Sequence, residues 1–308
     1  MWKPLGGFAP GELTEARLQA QWASQIPAAA GRSLLEPAAD YSHTSLEWRC
    51  DSRVLASAPL TDDGLRAGLC IATLRLVLLR GSEILQGTTL DAKSVAEGLE
   101  WLTQALSKHL DRHGRELRRP EHELPSHAVG DGAPFALEGI VEALAELEQW
   151  LDNADGLLRV RAARLDGASA VRCWPHHLDI ATLVTLEASN VADEAKSIGL
   201  GLSLGDDTYA EPYFYVTPWP YPEPRETSQP LPSGHWHTEK FFAAVLTGSE
   251  LTDGGQAGQA QRAEAFLEAA TAASRGLLGT RSETAKTPMI WHEVAEVDEL
   301  PPGRGRPC

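Results

Sequence analysis

Ser197-Ile198-Gly199-Leu200-Gly201-Leu202-Ser203-Leu204, the turn Gly205-Asp206-Asp207, and then Glu211-Pro212-Tyr213-Phe214-Tyr215-Val216-Thr217 are two alternating runs joined by a reversal. A period of two is the signature of a strand, because successive side chains leave opposite faces of a pleated backbone. In the first run Ile198, Leu200, Leu202 and Leu204 share an apolar face, while Gly199, Gly201 and Ser203 leave the other nearly bare. A bare strand face admits a ligand or another backbone, so Gly199, Gly201 and Ser203 are candidate substrate contacts. The second run sets Glu211, Tyr213 and Tyr215 on a polar-aromatic face as substrate contacts or proton donors, and prolines 218 to 224 carry the chain out of the sheet.

Outward from this pair, the pattern alternates between helix and strand. Residues 12 to 26 carry Leu18, Trp22 and Ile26 at every fourth position, with Pro27 as the stop. Residues 45 to 50, 69 to 79 and 84 to 90 read as strands, and Asp91 as the cap of a helix bearing Val95, Leu99, Leu102, Leu106 and Leu110. Residues 135 to 151 read as a second long helix, 160 to 165 and 168 to 186 as strands, and 259 to 278 as a last helix. The fold class that follows is α+β, with mixed or antiparallel sheets flanked by helices and two similar lobes possible. The expected division is a lobe over 1–112, a connector over 113–134, a lobe over 135–295 and a tail over 296–308.

The chain has 308 residues, of which 43% are hydrophobic, enough to bury a full core. Its net charge of -16 and lack of a long basic stripe argue against nucleic acid as a partner, and the basic run from Arg115 to Arg119 reads as a solvated linker. No apolar stretch approaches membrane-spanning length, and Met1-Trp2-Lys3-Pro4 lacks a signal core. A cytoplasmic protein with no membrane partner is therefore expected. Cys50, Cys70, Cys173 and Cys308 are too far apart for a Cys-x-x-Cys pair, and the first three read as buried reduced thiols.

Function is sought in the histidines. Four of ten lie in Trp174-Pro175-His176-His177-Leu178-Asp179 and Gly234-His235-Trp236-His237-Thr238-Glu239. If both segments are strands, His235, His237 and Glu239 share a face, as do His177 and Asp179, and the four donors His177, His235, His237 and Glu239 make a candidate metal set. Imidazole with carboxylate suits zinc, iron or manganese, and an open position at such a divalent ion would activate water or bind oxygen. Glu239 doubles as an acid/base candidate. Trp174, His176, Asp179 and Trp236 complete the substrate wall, Asp179 being also able to orient His177. The reading is a metal-dependent hydrolase or oxygenase acting on a small molecule. Two alternatives stand beside it: a small-molecule binding protein using the bare glycine face, and a structural or interaction protein with structural histidines and an exposed patch at Trp219 and Tyr221. Nucleotide loops and the Gly-x-Ser-x-Gly elbow are absent from the sequence.

The motifs Cys173 to His177, Ser197 to Ser203, Glu211 to Val216 and Gly234 to Glu239 also resemble those of a group of uncharacterised bacterial proteins. The similarity extends through Ser42-His43-Thr44-Ser45-Leu46 and residues 74 to 106. More distantly the chain resembles the bacterial family known as domain of unknown function 5996, in which the Leu178-Asp179 end is better kept than the histidine pair. The resemblance implies no activity, cofactor or substrate.

Overall fold

The computed structural model describes residues 2–110, 116–189, 195–223 and 229–279. Cys308, His113, His292, Arg115 and the tail over 296–308 lie outside the described residues. The described chain is α+β and forms two compact units, each assembled from separate stretches. One consists of Gly11–Asp152 and Arg172–Leu178, the other of the described residues of Met1–Pro10, Asn153–Val171 and Asp179–Cys308. The division does not follow a boundary at 113–134.

The first unit opens with α1 (Thr14–Leu34), followed by β1 (Leu46–Arg49), β2 (Val54–Ser57), β3 (Leu65–Cys70), β4 (Arg75–Arg80) and β5 (Glu83–Thr89). Helix α2 (Val95–Ser107) follows, then α3 (Val141–Ala162), of which the residues up to Asp152 belong to this unit and those from Asn153 to the other, and β6 (Arg172–Trp174) returns to pair with β1. The antiparallel order is β6-β1-β2-β3-β4-β5. Four local expectations are corrected here. Pro27 does not end α1, because Ala28, Ala29 and Ala30 beyond it are fully buried, and that burial outweighs the roughly 3 kcal/mol a mid-helix proline costs. The single strand over 69 to 79 is two strands separated by a 3-10 turn, with Leu74 at φ 40 reversing the chain. Helix α2 is capped by Ser94, whose hydroxyl accepts from Glu97 N while the Glu97 carboxylate accepts from Ser94 N, rather than by Asp91. Helix α3 continues into the stretch read as a strand at 160 to 165, ending at Ala162 before a turn, because Leu147, Leu151, Ala154 and Leu158 prolong one buried stripe at helical spacing. Of the three described thiols, Cys173 is buried, Cys70 half-buried and Cys50 exposed in the turn after β1.

The second unit contains β7 (Asp179–Glu187), β8 (Lys196–Ser203), β9 (Tyr213–Trp219), β10 (His235–His237) and β11 (Ala243–Thr247), then α4 (Gly248–Thr252) and α5 (Gln259–Leu277). Its antiparallel order is β10-β11-β9-β8-β7. Ile198, Leu200, Leu202, Phe214 and Val216 are fully buried, and α5 packs against β8, β9 and β11 through Ala263, Phe266, Leu267 and Ala270. Among the described residues no helix is long and apolar enough to cross a membrane.

Candidate functional site

Register fixes one face of the second unit's sheet. His235 stands opposite Val245, Val245 opposite Tyr215, Tyr215 opposite Gly201 and Gly201 opposite Ala181. The next row runs from Thr247 through Tyr213 and Ser203 to Asp179. Because side chains alternate along each strand, His235, His237, Tyr213, Tyr215 and Asp179 share that face, and Trp236 falls on the other, stacked on Phe242.

The glycine face is not open. A Cβ at Gly201 would stand 2.5 Å from Cζ and the oxygen of Tyr215, and one at Gly199 would meet the Thr217 methyl at 3.0 Å. The alternating glycines therefore receive side chains of β9, so the face read as bare is filled from within the sheet. Ser203 is buried, and its hydroxyl accepts from Gly205 N at 3.1 Å. Tyr215 donates to Asp179 Oδ2 at 2.7 Å, a buried bond that ties β9 to β7.

At the solvent end of the same face lies a residue that alternation cannot reveal. Tyr209 sits in the β8–β9 connection, and its hydroxyl oxygen is 2.9 Å from His235 Nε2 and 2.9 Å from His237 Nδ1. Asp206 builds the connection: Oδ1 accepts from Thr208 N at 2.7 Å and Tyr209 N at 2.9 Å, while Oδ2 accepts from the Tyr213 hydroxyl at 2.6 Å. The signal in the sequence was Asp206 itself, since an aspartate at a strand end turns the backbone by accepting from the amides two and three residues on. Gly234, at φ 75, lets the chain enter β10 where a Cβ would strike the Val245 carbonyl at 2.2 Å.

One hydroxyl carries one proton, so Tyr209 can donate to only one imidazole, and the other must donate to it. Burial lowers the His237 pKa below its ordinary value, with His235 acting in the same sense and the Glu239 carbonyl and the charges of Glu239 and Asp206 opposing. The ring stacks on Phe241 at 4.1 Å, and its Nε2 is buried with no hydrogen-bond partner among the described residues. Burial raises the Tyr209 pKa, reinforced by Asp206 and Glu250. His235 turns its other nitrogen, Nδ1, toward Glu250 Oε1 at 3.8 Å, while Glu250 Oε2 caps α4 by accepting from Thr247 N and Oγ1 at 3.0 Å. Glu250 also lines a shallow, open surface concavity with Pro10, Ser249, Thr252, Asp253 and Gly254.

The remaining predicted residues are placed elsewhere. Glu239 lies beyond the end of β10 and is exposed; the strand stops at His237, and the alternation stops with it. Glu211 precedes β9 and accepts from Ser249 N at 2.6 Å, holding the start of α4. His176 and His177 belong to the first unit and occupy a turn, not a strand: His177 N and Leu178 N both donate to the Trp174 carbonyl, and Leu178 has φ 52. Their rings are 4.3 Å apart, with His122 stacked on His176 at 4.4 Å. Trp174 is buried, and Gln25 and Gln21 of α1 donate to the carbonyls of Pro175 at 2.7 Å and His176 at 2.6 Å. The four-donor set His177, His235, His237 and Glu239 is thus not assembled. Among the described residues no three His, Cys, Asp or Glu side chains are grouped to hold an ion. Trp219 is buried in β9, while the half-buried Tyr221 meets its ring edge-on at 5.5 Å.

Family models, curated proteins and solved structures were all compared with this chain, and none matches it.

Proposed function

We propose that the chain is a metal-dependent enzyme acting on a small molecule at the sheet face of the second unit, with His235 and His237 as the ion-holding side chains. The supporting observation is convergence: His235 Nε2 and His237 Nδ1 are directed at one point, the Tyr209 oxygen, 2.9 Å from each. Residues at alternate positions of a strand can supply two imidazoles to one ion without strain. Burial favours neutral His237, the form that can ligate, and the Glu250 carboxylate lies 3.8 Å from the other ring nitrogen of His235, Nδ1. A bound ion would supply Lewis acidity or a place for oxygen. The chain would then orient the substrate in the concavity beside Glu250, whose acidic lining suits a neutral or cationic molecule in a cytoplasmic setting, with no nucleic acid involved.

Zinc titration of full-length protein lacking a polyhistidine tag tests this reading. One ion per chain is expected, with at least a roughly tenfold loss of affinity in His235→Ala and His237→Ala. Binding that is absent from the wild type, or unchanged in both variants, refutes it.

A second reading, a metal-free small-molecule binding protein, is favoured by the fact that the Tyr209 hydroxyl already satisfies one nitrogen of each imidazole. On this reading zinc does not bind, and a ligand that does bind perturbs the Tyr209 and His235 resonances.

A further inference from the structure

We infer that Tyr209 is the third ligand of that ion, bound as a phenolate, and that the site thereby favours an oxidised, strongly Lewis-acidic ion, iron(III) or copper(II), over zinc. The inference rests on the metal reading above and adds to it a ligand and an ion class.

Ligands held about 2.1 Å from one ion stand about 3 Å from each other, which is the spacing between the Tyr209 oxygen and each imidazole nitrogen. The Tyr209 oxygen therefore already sits at ligand-to-ligand distance from each imidazole nitrogen, and a short outward movement of the phenol opens a place for the ion among them. Two neutral imidazoles and one anionic oxygen, with further positions open, is the donor set associated with oxygen-using iron centres, a phenolate here taking the place of a carboxylate.

The surroundings agree with this assignment. Tyr209 is presented by a built turn: the Asp206 carboxylate accepts from Tyr209 N, and Asp206 N donates to the Tyr209 carbonyl at 2.8 Å. Asp206 and Glu250 both act electrostatically on the phenol, and Glu239 and Asp206 both act on His237. Asp206 and Glu250 beside a phenolate offset a higher ionic charge than two imidazoles alone could. Without an ion the phenol rests hydrogen-bonded to both imidazoles. On binding, the phenol O–H bond breaks, an oxygen-to-ion bond forms and the proton leaves to solvent, with no electron transferred.

The test uses full-length, untagged protein titrated with copper(II), with iron(II) then oxidised by air, and with zinc. The wild type is expected to gain a visible phenolate-to-metal charge-transfer absorption at one ion per chain and to release about one proton on binding. Tyr209→Phe is expected to lose that absorption and to bind copper or iron at least about tenfold more weakly, while retaining zinc on its two imidazoles, which also shows that the variant is folded. His235→Ala/His237→Ala loses all three ions. A wild type that binds zinc and copper without the absorption, or a Tyr209→Phe variant that keeps it, overturns the inference and leaves the two-imidazole reading standing. A wild type that binds none of the three overturns both.

Discussion

The phenol of Tyr215 occupies the space that a side chain at Gly201 would need: a Cβ there would stand 2.5 Å from its Cζ and oxygen. Gly201→Ala must therefore push the ring aside or shift β8, as over-packing a filled core does at about 1–3 kcal/mol. Gly199→Ala should cost less, because its Cβ meets only the Thr217 methyl, at 3.0 Å. Urea unfolding midpoints measure both, and equal midpoints for the two variants would contradict the argument.

Tyr215→Phe removes the donor to Asp179 Oδ2 without disturbing the packing of the ring. Asp179 is 1% exposed, so a carboxylate deprived of that bond should cost about 1–3 kcal/mol of stability. Asp179→Asn in the same background should recover part of the loss, since a neutral amide tolerates burial better than a charge. A double-mutant cycle with no coupling between the two positions would sink this account.

His43 supplies a pH dependence in the first unit. Its pKa is lowered, chiefly by burial and then by Arg32, against the pull of Asp40, and its Nδ1 accepts from Ala38 N at 3.1 Å and so must be unprotonated. A histidine with a folded pKa below its unfolded value of about 6.5 binds its proton more readily when unfolded. The stability it contributes is complete above about pH 6.5, falls as the pH drops below that value, and is fully lost below the folded pKa. His43→Asn should flatten the acid limb of the stability profile between these limits. An unchanged slope would show that His43 does not titrate with folding.

Asp206 should set the behaviour of Tyr209. Removing its charge in Asp206→Asn takes away one of the influences raising the Tyr209 pKa, so the phenol should ionise at lower pH than in the wild type. Ultraviolet titration referenced to Tyr209→Phe isolates the signal. A shift upward, or none, contradicts the geometry. Asp206→Ala also removes the turn's acceptors and should lower stability by about 1–2 kcal/mol.

The sequence was most informative where periodicity is strong. Strands β8 and β9, the turn between them and α5 follow directly from the spacing of Ile198, Leu200, Leu202, Phe214, Val216 and Phe266, and the alternation of His235 and His237 places both imidazoles with the tyrosines. It misled where a local rule met a tertiary one. Pro27 signals a helix end, yet burial carries α1 past it, and the apolar run from Cys70 to Leu79 hides a reversal at Leu74. The histidine pair at 176 and 177 could not be placed by alternation, because Leu178 adopts a left-handed conformation that its side chain gives no reason to expect. Tyr209 stayed invisible because its position depends on the Asp206 turn and on partners 26 and 28 residues away.

The division of the chain has a consequence for its synthesis. The first unit needs Arg172–Leu178 to complete it, and the second draws on Met1–Pro10. On the ribosome, the segment that Gln21 and Gln25 grip has not yet been translated when α1 emerges, so the polar side of that helix must wait about 150 residues, roughly ten to thirty seconds at ordinary elongation rates, for its acceptors. The strands of the second unit all follow Leu178, so the first unit can be completed before that sheet begins, and cutting the gene within 113–134 should release two fragments that each lack part of a sheet or its fastening, instead of two independent domains.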